Sequence, residues 1–210
     1  MSVKVWDGFV RTYHWAQVAL LGLCWYSAEQ GLMDWHQYSA LALLGLWLGR
    51  LAWGLLGSEN ARFGHFVRGP RAVLAYVRGE RQQGSDGHNP LAGWMVAVLL
   101  LLLGGQLGTG LFASDEVLTE GPLYGLVSEE TSAWLTELHE LNFNLLLGLV
   151  ALHVLAALAH QFRGENLIGA MITGRKAAER SPALGNVLLA WSLVLLAWGG
   201  LYLWWGRHIG

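Results

Sequence analysis

The chain has 210 residues, 54% of them hydrophobic and only 13% charged, with twelve tryptophans, a positive mean hydropathy and a formal net charge of -2. That much apolar material exceeds what one soluble core needs, so an integral membrane protein with a lipid bilayer as its solvent is expected, and no basic excess suits nucleic acid. The single cysteine, Cys24, excludes both an internal disulfide and a Cys-x-x-Cys-His haem attachment.

Met1 to Arg11 is too polar and aromatic to be the basic flank of a cleavable signal, and no Ala-x-Ala-like site follows, so the first apolar segment is expected to stay. Apolar runs fall at 12–32, 36–57, 90–113, 133–162 and 184–206, each near or above the ~20 residues a helix needs to cross a bilayer. An all-α membrane helical bundle with five transmembrane helices is expected. The first four make a core within residues 1–176, and the fifth, within 177–210, is an addition. Asn89-Pro90 reads as a helix N-cap followed by proline at the first position. The fourth segment is long enough to protrude into water, with a polar start at Thr136, Glu137 and Glu140.

Charge orients the segments. Lys4, Arg11, Arg50, Arg62, Arg68, Arg71, Arg78, Arg81, Arg163, Arg175, Lys176 and Arg180 lie at the N-terminus, at one set of helix ends, or in the connections 58–89 and 163–183. Arg207 alone falls on the other side. The connection 114–132 carries Asp115, Glu116, Glu120, Glu129 and Glu130 without a cation. The positive-inside rule then puts the N-terminus and both basic connections in the cytoplasm and the C-terminus outside, in the periplasm of a bacterium. Trp6, Trp15, Trp35, Tyr124, Trp134, Trp204 and Trp205 suit an interfacial belt, whereas Trp25, Trp47, Trp94, Trp191 and Trp198 must meet lipid or neighbouring helices at depth.

Of the five histidines inside these spans, four, His14, His36, His139 and His153, lie at depths that pair. His139 and His153 are fourteen residues apart on the fourth, close to four turns, so both leave nearly the same face about 21 Å apart at a rise of 1.5 Å per residue. His14 opens the first span on the cytoplasmic side and His36 opens the second on the outer side. Depth therefore pairs His36 with His139 and His14 with His153. An ionisable side chain in hydrocarbon usually marks a functional site with a partner, and two imidazoles from facing helices can fill both axial positions of a haem. Two non-covalent b haems, an inner and an outer one, are the expected occupants; a transition-metal ion is the chemical rival.

Other residues carry weaker expectations. Gly22, Gly45, Gly49, Gly104, Gly105, Gly108 and Gly148 either clear room for a porphyrin or serve ordinary small-residue helix packing. Arg11 and Arg50, at the inner ends of the first two spans, suit bidentate pairing with haem propionates or simple topological anchoring. His160 reads as an interfacial residue, with a haem propionate or quinone contact as the alternative. His65, His88 and His208 read as loop histidines.

The chain resembles the bacterial cytochrome b561 and nickel–iron hydrogenase b-type cytochrome family. The matching text is Trp6-Asp7, Arg11-Thr12-Tyr13-His14-Trp15, His36 and Arg50 at either end of the second span, and Ala61-Arg62-Phe63. It continues with His88-Asn89-Pro90-Leu91, His139 with His153, Glu165-Asn166-Leu167, and Met171-Ile172-Thr173-Gly174-Arg175-Lys176. The resemblance implies a membrane electron carrier whose four haem ligands are His14, His36, His139 and His153, the same pairs that topology gives.

The expected function is a dihaem b-type cytochrome of the bacterial inner membrane, passing electrons between a periplasmic or membrane-anchored redox partner, a hydrogenase or c-type cytochrome, and the quinone pool. It is expected to be an electron-transfer subunit rather than an enzyme by itself. A stand-alone superoxide:quinone oxidoreductase of the same architecture and a haem-free metal-binding membrane protein are the alternatives. The acidic connection 114–132 offers a docking face for a basic partner, or is merely solvated. The inner polar residues His88, Asn89, Asn166 and His160 either hydrogen-bond a quinone or serve as caps and loop contacts.

Overall fold

The first long helix starts where a buried carboxylate caps it. In the computed structural model, which describes residues 2–79, 89–115, 117–178 and 180–208 (side chains to 204), Asp7 accepts the Val10 backbone N–H at 2.7 Å. This satisfies one of the free amides of the first turn. In chain order the elements are strand β1 (Ser2–Lys4), helices α1 (Gly8–Glu29) and α2 (Met33–Leu56), a 3-10 turn (Glu59–Ala61), and helices α3 (Phe63–Phe66), α4 (Pro70–Val77) and α5 (Pro90–Gly110). A second 3-10 turn (Tyr124–Leu126) precedes helices α6 (Glu129–Phe162) and α7 (Leu167–Thr173), strand β2 (Arg175–Ala177) and helix α8 (Val187–His208).

The protein is an all-α membrane helical bundle. Four helices, α2, α5, α6 and α8, are long and apolar enough to cross a membrane. Helix α1 matches them in length with 22 residues. Its early turns carry Arg11, His14 and Gln17, which dilute the apolar run expected from the sequence to be the first span. The helix also begins at Gly8 rather than near residue 12, because Asp7 caps it there.

Contacts divide the chain into two compact units. One contains Met1–Trp15, Gly49–Val98 and Ala151–Leu193; the other contains Ala16–Leu48, Leu99–Val150 and Val194–Gly210.

The first unit is built around Asp7, which is 2% exposed. Its second oxygen accepts the Trp53 indole N–H at 3.0 Å, so one carboxylate both caps α1 and ties it to α2. Phe9 packs edge-on against Trp53 and Trp191, with ring centres 5.7 and 5.3 Å away, which joins α1, α2 and α8 through aromatic faces. Strands β1 and β2 pair antiparallel with Lys4 opposite Arg175. Gly174, at φ 79°, ends α7 in the left-handed conformation and offers its carbonyl to the Val5 N–H at 2.8 Å. Glu59 accepts from Arg180 and from the Ala183 N–H, both at 3.0 Å. The amide of Ala183, helped by the Arg180 guanidinium, holds that carboxyl below the usual range.

The second unit has a leucine core of Leu43, Leu103, Leu107 and Leu146, contributed by α2, α5 and α6. Two indoles brace it: Trp47 donates to the Leu100 carbonyl at 2.9 Å and Trp198 to the Ala42 carbonyl at 3.0 Å. The Trp47 ring occupies the notch at Gly104 and the Trp198 ring the notch at Gly45. These two glycines therefore serve helix and indole packing, one of the two roles open to them from the sequence. In the connection between α5 and α6, one oxygen of Asp115 accepts the N–H groups of Val117, Leu118 and Thr119 at 3.0, 2.9 and 2.8 Å. Those amides, Thr119 first, push its carboxyl down to about 2.

Candidate functional site

His36 and His139 meet in the second unit, their ring centres 6.3 Å apart with planes at 75°. His36 sits in the first turn of α2, and its Nδ1 is 2.8 Å from the Cys24 carbonyl of α1. A carbonyl oxygen can only accept, so Nδ1 carries the hydrogen and Nε2 keeps its lone pair for a metal. Ser27 donates its hydroxyl to the same carbonyl at 3.1 Å. His139 is fixed in the same tautomer by the Gln106 carbonyl of α5, 3.0 Å from its Nδ1.

Thr109 adds a second acceptor to His139 at 3.2 Å, because its own hydroxyl hydrogen goes to the Gly105 carbonyl at 2.8 Å. Asn142, one turn beyond His139, donates to the Gln106 side-chain oxygen at 2.7 Å and to the Leu102 carbonyl at 2.9 Å. The α5–α6 seam is thus polar wherever it supports the imidazole. A Cβ on Gly110 would lie 2.8 Å from His139 Cε1, so glycine there is what lets the ring sit against α5. Both imidazoles line a largely apolar cavity of about 210 Å³ with Leu21, Ala40, Leu103 and Phe143; Glu29 and Glu140 are its carboxylates.

His14 and His153 meet in the first unit, their ring centres 6.4 Å apart with planes at 56°. Trp15 packs edge-on against His14 at 4.9 Å. No hydrogen bond orients these rings among the described residues, and His14 Nδ1 is buried without a partner.

Arg50 lies in the same unit, 4% exposed, its guanidinium 5.3 Å over the Phe63 ring. It is within electrostatic reach of Tyr13 and Asp7. Arg50 Nη1 and Tyr13 Oη are both buried without a hydrogen-bond partner, a costly state for polar groups unless a ligand meets them. Arg11 is placed differently. Its Nη1 donates to the Ile172 carbonyl at 2.6 Å and its Nε to the Asp7 carbonyl at 3.3 Å, which fastens α1 to α7.

The spacing of each pair suits one metal ion held from both sides. A metal–imidazole bond of about 2 Å plus about 1 Å from nitrogen to ring centre, taken twice, puts trans imidazole centres about 6 Å apart. The two observed separations, 6.3 and 6.4 Å, match that figure. A bare divalent ion needs more donors than two imidazoles. Among the described residues no group of three or more His, Cys, Asp or Glu side chains is arranged for one.

The remaining candidates have local roles. Asn89 caps α5 by accepting the Ala92 N–H at 2.7 Å, and Asn166 caps α7 by accepting the Gly169 N–H at 2.8 Å. His160 Nδ1 lies 3.4 Å from Glu165, and His65 Nε2 lies 3.6 Å from Glu59. His88 and the side chain of His208 lie outside the described residues. Sequence reasoning missed Gln106, Thr109 and Asn142. Their signal was Gln106 and Thr109 three residues apart on the apolar α5, and Asn142 three residues after His139 on α6.

The sequence profile of the prokaryotic cytochrome b561 family matches residues 5–174, most of the chain and all four histidines. The chain belongs to that family. As a prokaryotic cytochrome b561 it is a membrane b-type cytochrome of electron transfer, and the family implies haem b binding. No curated protein and no solved structure matches it.

Proposed function

We propose that this cytochrome b561 carries two b haems, one between His14 and His153 and one between His36 and His139, and passes electrons between a periplasmic redox partner and membrane quinone. The observation that carries the reading is the spacing of the two imidazole pairs, each at the separation of trans axial ligands. When bound, haem supplies reversible one-electron chemistry. The chain's own residues do the rest. His14 with His153, and His36 with His139, would each hold one haem iron from both sides, which would leave no position there for a small substrate and would limit the site to electron transfer.

Around the inner site, the buried Arg50 Nη1 and Tyr13 Oη are donors suited to a propionate carboxylate. Arg11 is proposed alongside them, although two of its nitrogens already serve backbone carbonyls. The charge asymmetry of the connections supports a bacterial inner-membrane orientation with the N-terminus in the cytoplasm and the C-terminus in the periplasm. Helix α1 is then the first of five spans. His160, near the cytoplasmic end of α6, is a candidate contact for a quinone head.

The test is purification with haem available, followed by a visible spectrum, the haem-to-protein ratio and identification of co-purifying proteins. Two b haems per chain, reducible by a quinol, are expected. Protein without a Soret band would overturn the reading, and a stable soluble partner would identify the client.

A further inference from the structure

Helix α4 has no core of its own. None of its residues is buried, and eight residues make too short a helix to persist in water unaided. The face carrying Ala72 and Tyr76 is half-buried, whereas Pro70, Arg71, Leu74, Val77 and the closing Arg78 are exposed. At 3.6 residues per turn these five cover about a third of the circumference, with the apolar Val77, Pro70 and Leu74 on one side and Arg71 and Arg78 on the other. Leu74 is 50% exposed and Val77 65%.

Two contacts set the depth of this helix. The Trp94 indole of α5 donates to the Arg68 carbonyl at 2.7 Å, and the Phe66 carbonyl lies so close to Gly93 that no Cβ would fit there. Gly93 and Trp94 belong to the opening turns of α5, which is long and apolar enough to cross a membrane. The chain leading into α4 is therefore pinned near the level where α5 enters the bilayer. A tryptophan, apolar in body with one polar edge, suits that level.

Charge names the occupant of the exposed face. From Asn60 to Gly79 the chain carries four arginines and no acidic residue. Among the described residues no carboxylate pairs with Arg68, Arg71 or Arg78. An apolar strip edged by guanidiniums matches an acyl chain beside a phosphate headgroup.

We infer that α4 lies in the plane of the membrane surface and holds an anionic phospholipid, with Leu74 and Val77 on its acyl chains and Arg71 and Arg78 on its headgroup phosphate. This goes beyond the haem reading and does not depend on it.

The test is a titration of the full chain, purified from membranes in neutral detergent, with phosphatidylglycerol or phosphatidylcholine, read by native mass spectrometry. Phosphatidylglycerol should bind more tightly, and salt should weaken it. An arginine near an anionic surface is worth a factor of about five, so Arg71→Gln and Arg78→Gln should each lower that affinity about 5-fold, and together about 25-fold. Leu74→Ser should weaken both lipids, and Arg175→Gln, an exposed cation on strand β2, should change neither. Equal affinity for the two lipids, or wild-type phosphatidylglycerol binding by the double arginine variant, would overturn the assignment. An equal loss from Arg175→Gln would overturn it in favour of diffuse charge, and a smaller oligomer in Leu74→Ser would overturn it in favour of a second copy covering the strip.

Discussion

The two histidine pairs have nearly the same ring separation but are reached by different means. At His36 and His139, polar groups on three helices orient the imidazoles: Cys24 through its carbonyl, Gln106 and Thr109 on α5, and Asn142 behind them. At His14 and His153 the described residues supply no such scaffold. His14 and His153 are placed by packing against Trp15 and by the helices that carry them, and the unpartnered polar atoms around them await something bound. Preorganisation of an axial ligand costs buried polar groups that must be satisfied whether or not haem is present. The His36–His139 site meets that cost with main-chain carbonyls, whereas near His14 the buried Nδ1, Arg50 Nη1 and Tyr13 Oη have no partner among the described residues.

The bluntest way to break this comparison is to remove one ligand from each pair. His139→Ala should lose one haem and His153→Ala the other, each lowering the haem-to-protein ratio by about half. Loss of both haems from either variant, or of neither, would contradict the separateness of the sites.

Gly110→Ala sharpens it. The new Cβ would press on His139 Cε1, so this change should mimic His139→Ala in haem content while leaving the inner haem's spectrum intact.

Asp7→Ala probes the scaffold of the inner unit instead. It removes the α1 cap and leaves the Trp53 N–H unpaired in a buried position, for a loss of about 1–3 kcal/mol in thermal denaturation in detergent. No change in the denaturation midpoint would contradict the role given to Asp7.

The smallest effect separates the two units by pH. Asp115 in the second unit titrates about 2 in the folded protein against 3.8 as the ordinary value, so its contribution is complete above about pH 4 and is lost as pH falls toward 2. Glu59 in the first unit is also held down, so its contribution is present above 4.5 and is lost on further acidification. Amide exchange of Val117 to Thr119 should therefore accelerate as pH drops from 4 to 2 beyond the intrinsic trend, and Asp115→Asn should remove that excess.

Much of this was legible in the sequence, because hydrophobic length and cation bias constrain a membrane protein more tightly than propensity constrains a soluble one. Depth alone paired His36 with His139 and His14 with His153. What the sequence concealed has physical reasons. The acceptors for His36 and His139 are main-chain carbonyls, which leave no signature in residue identity. Gly45 and Gly104 looked like room for a porphyrin, yet a glycine's free volume goes to whichever bulky neighbour arrives, and here Trp198 and Trp47 do. The β1–β2 pairing joins Lys4 to Arg175 across almost the whole chain through three-residue strands, too short for a periodic signal. Thr109 and Asn142 were readable in principle as polar residues in apolar helices, but only the seam between α5 and α6 gives them a purpose.

Low-temperature electron paramagnetic resonance of the oxidised, haem-loaded protein tests the central claim most directly, because axial ligation is written in the spin state. Imidazole on both faces of each iron predicts low-spin ferric signals from two haems per chain. A high-spin signal accounting for half or all of the iron, or a single haem per chain, would contradict it.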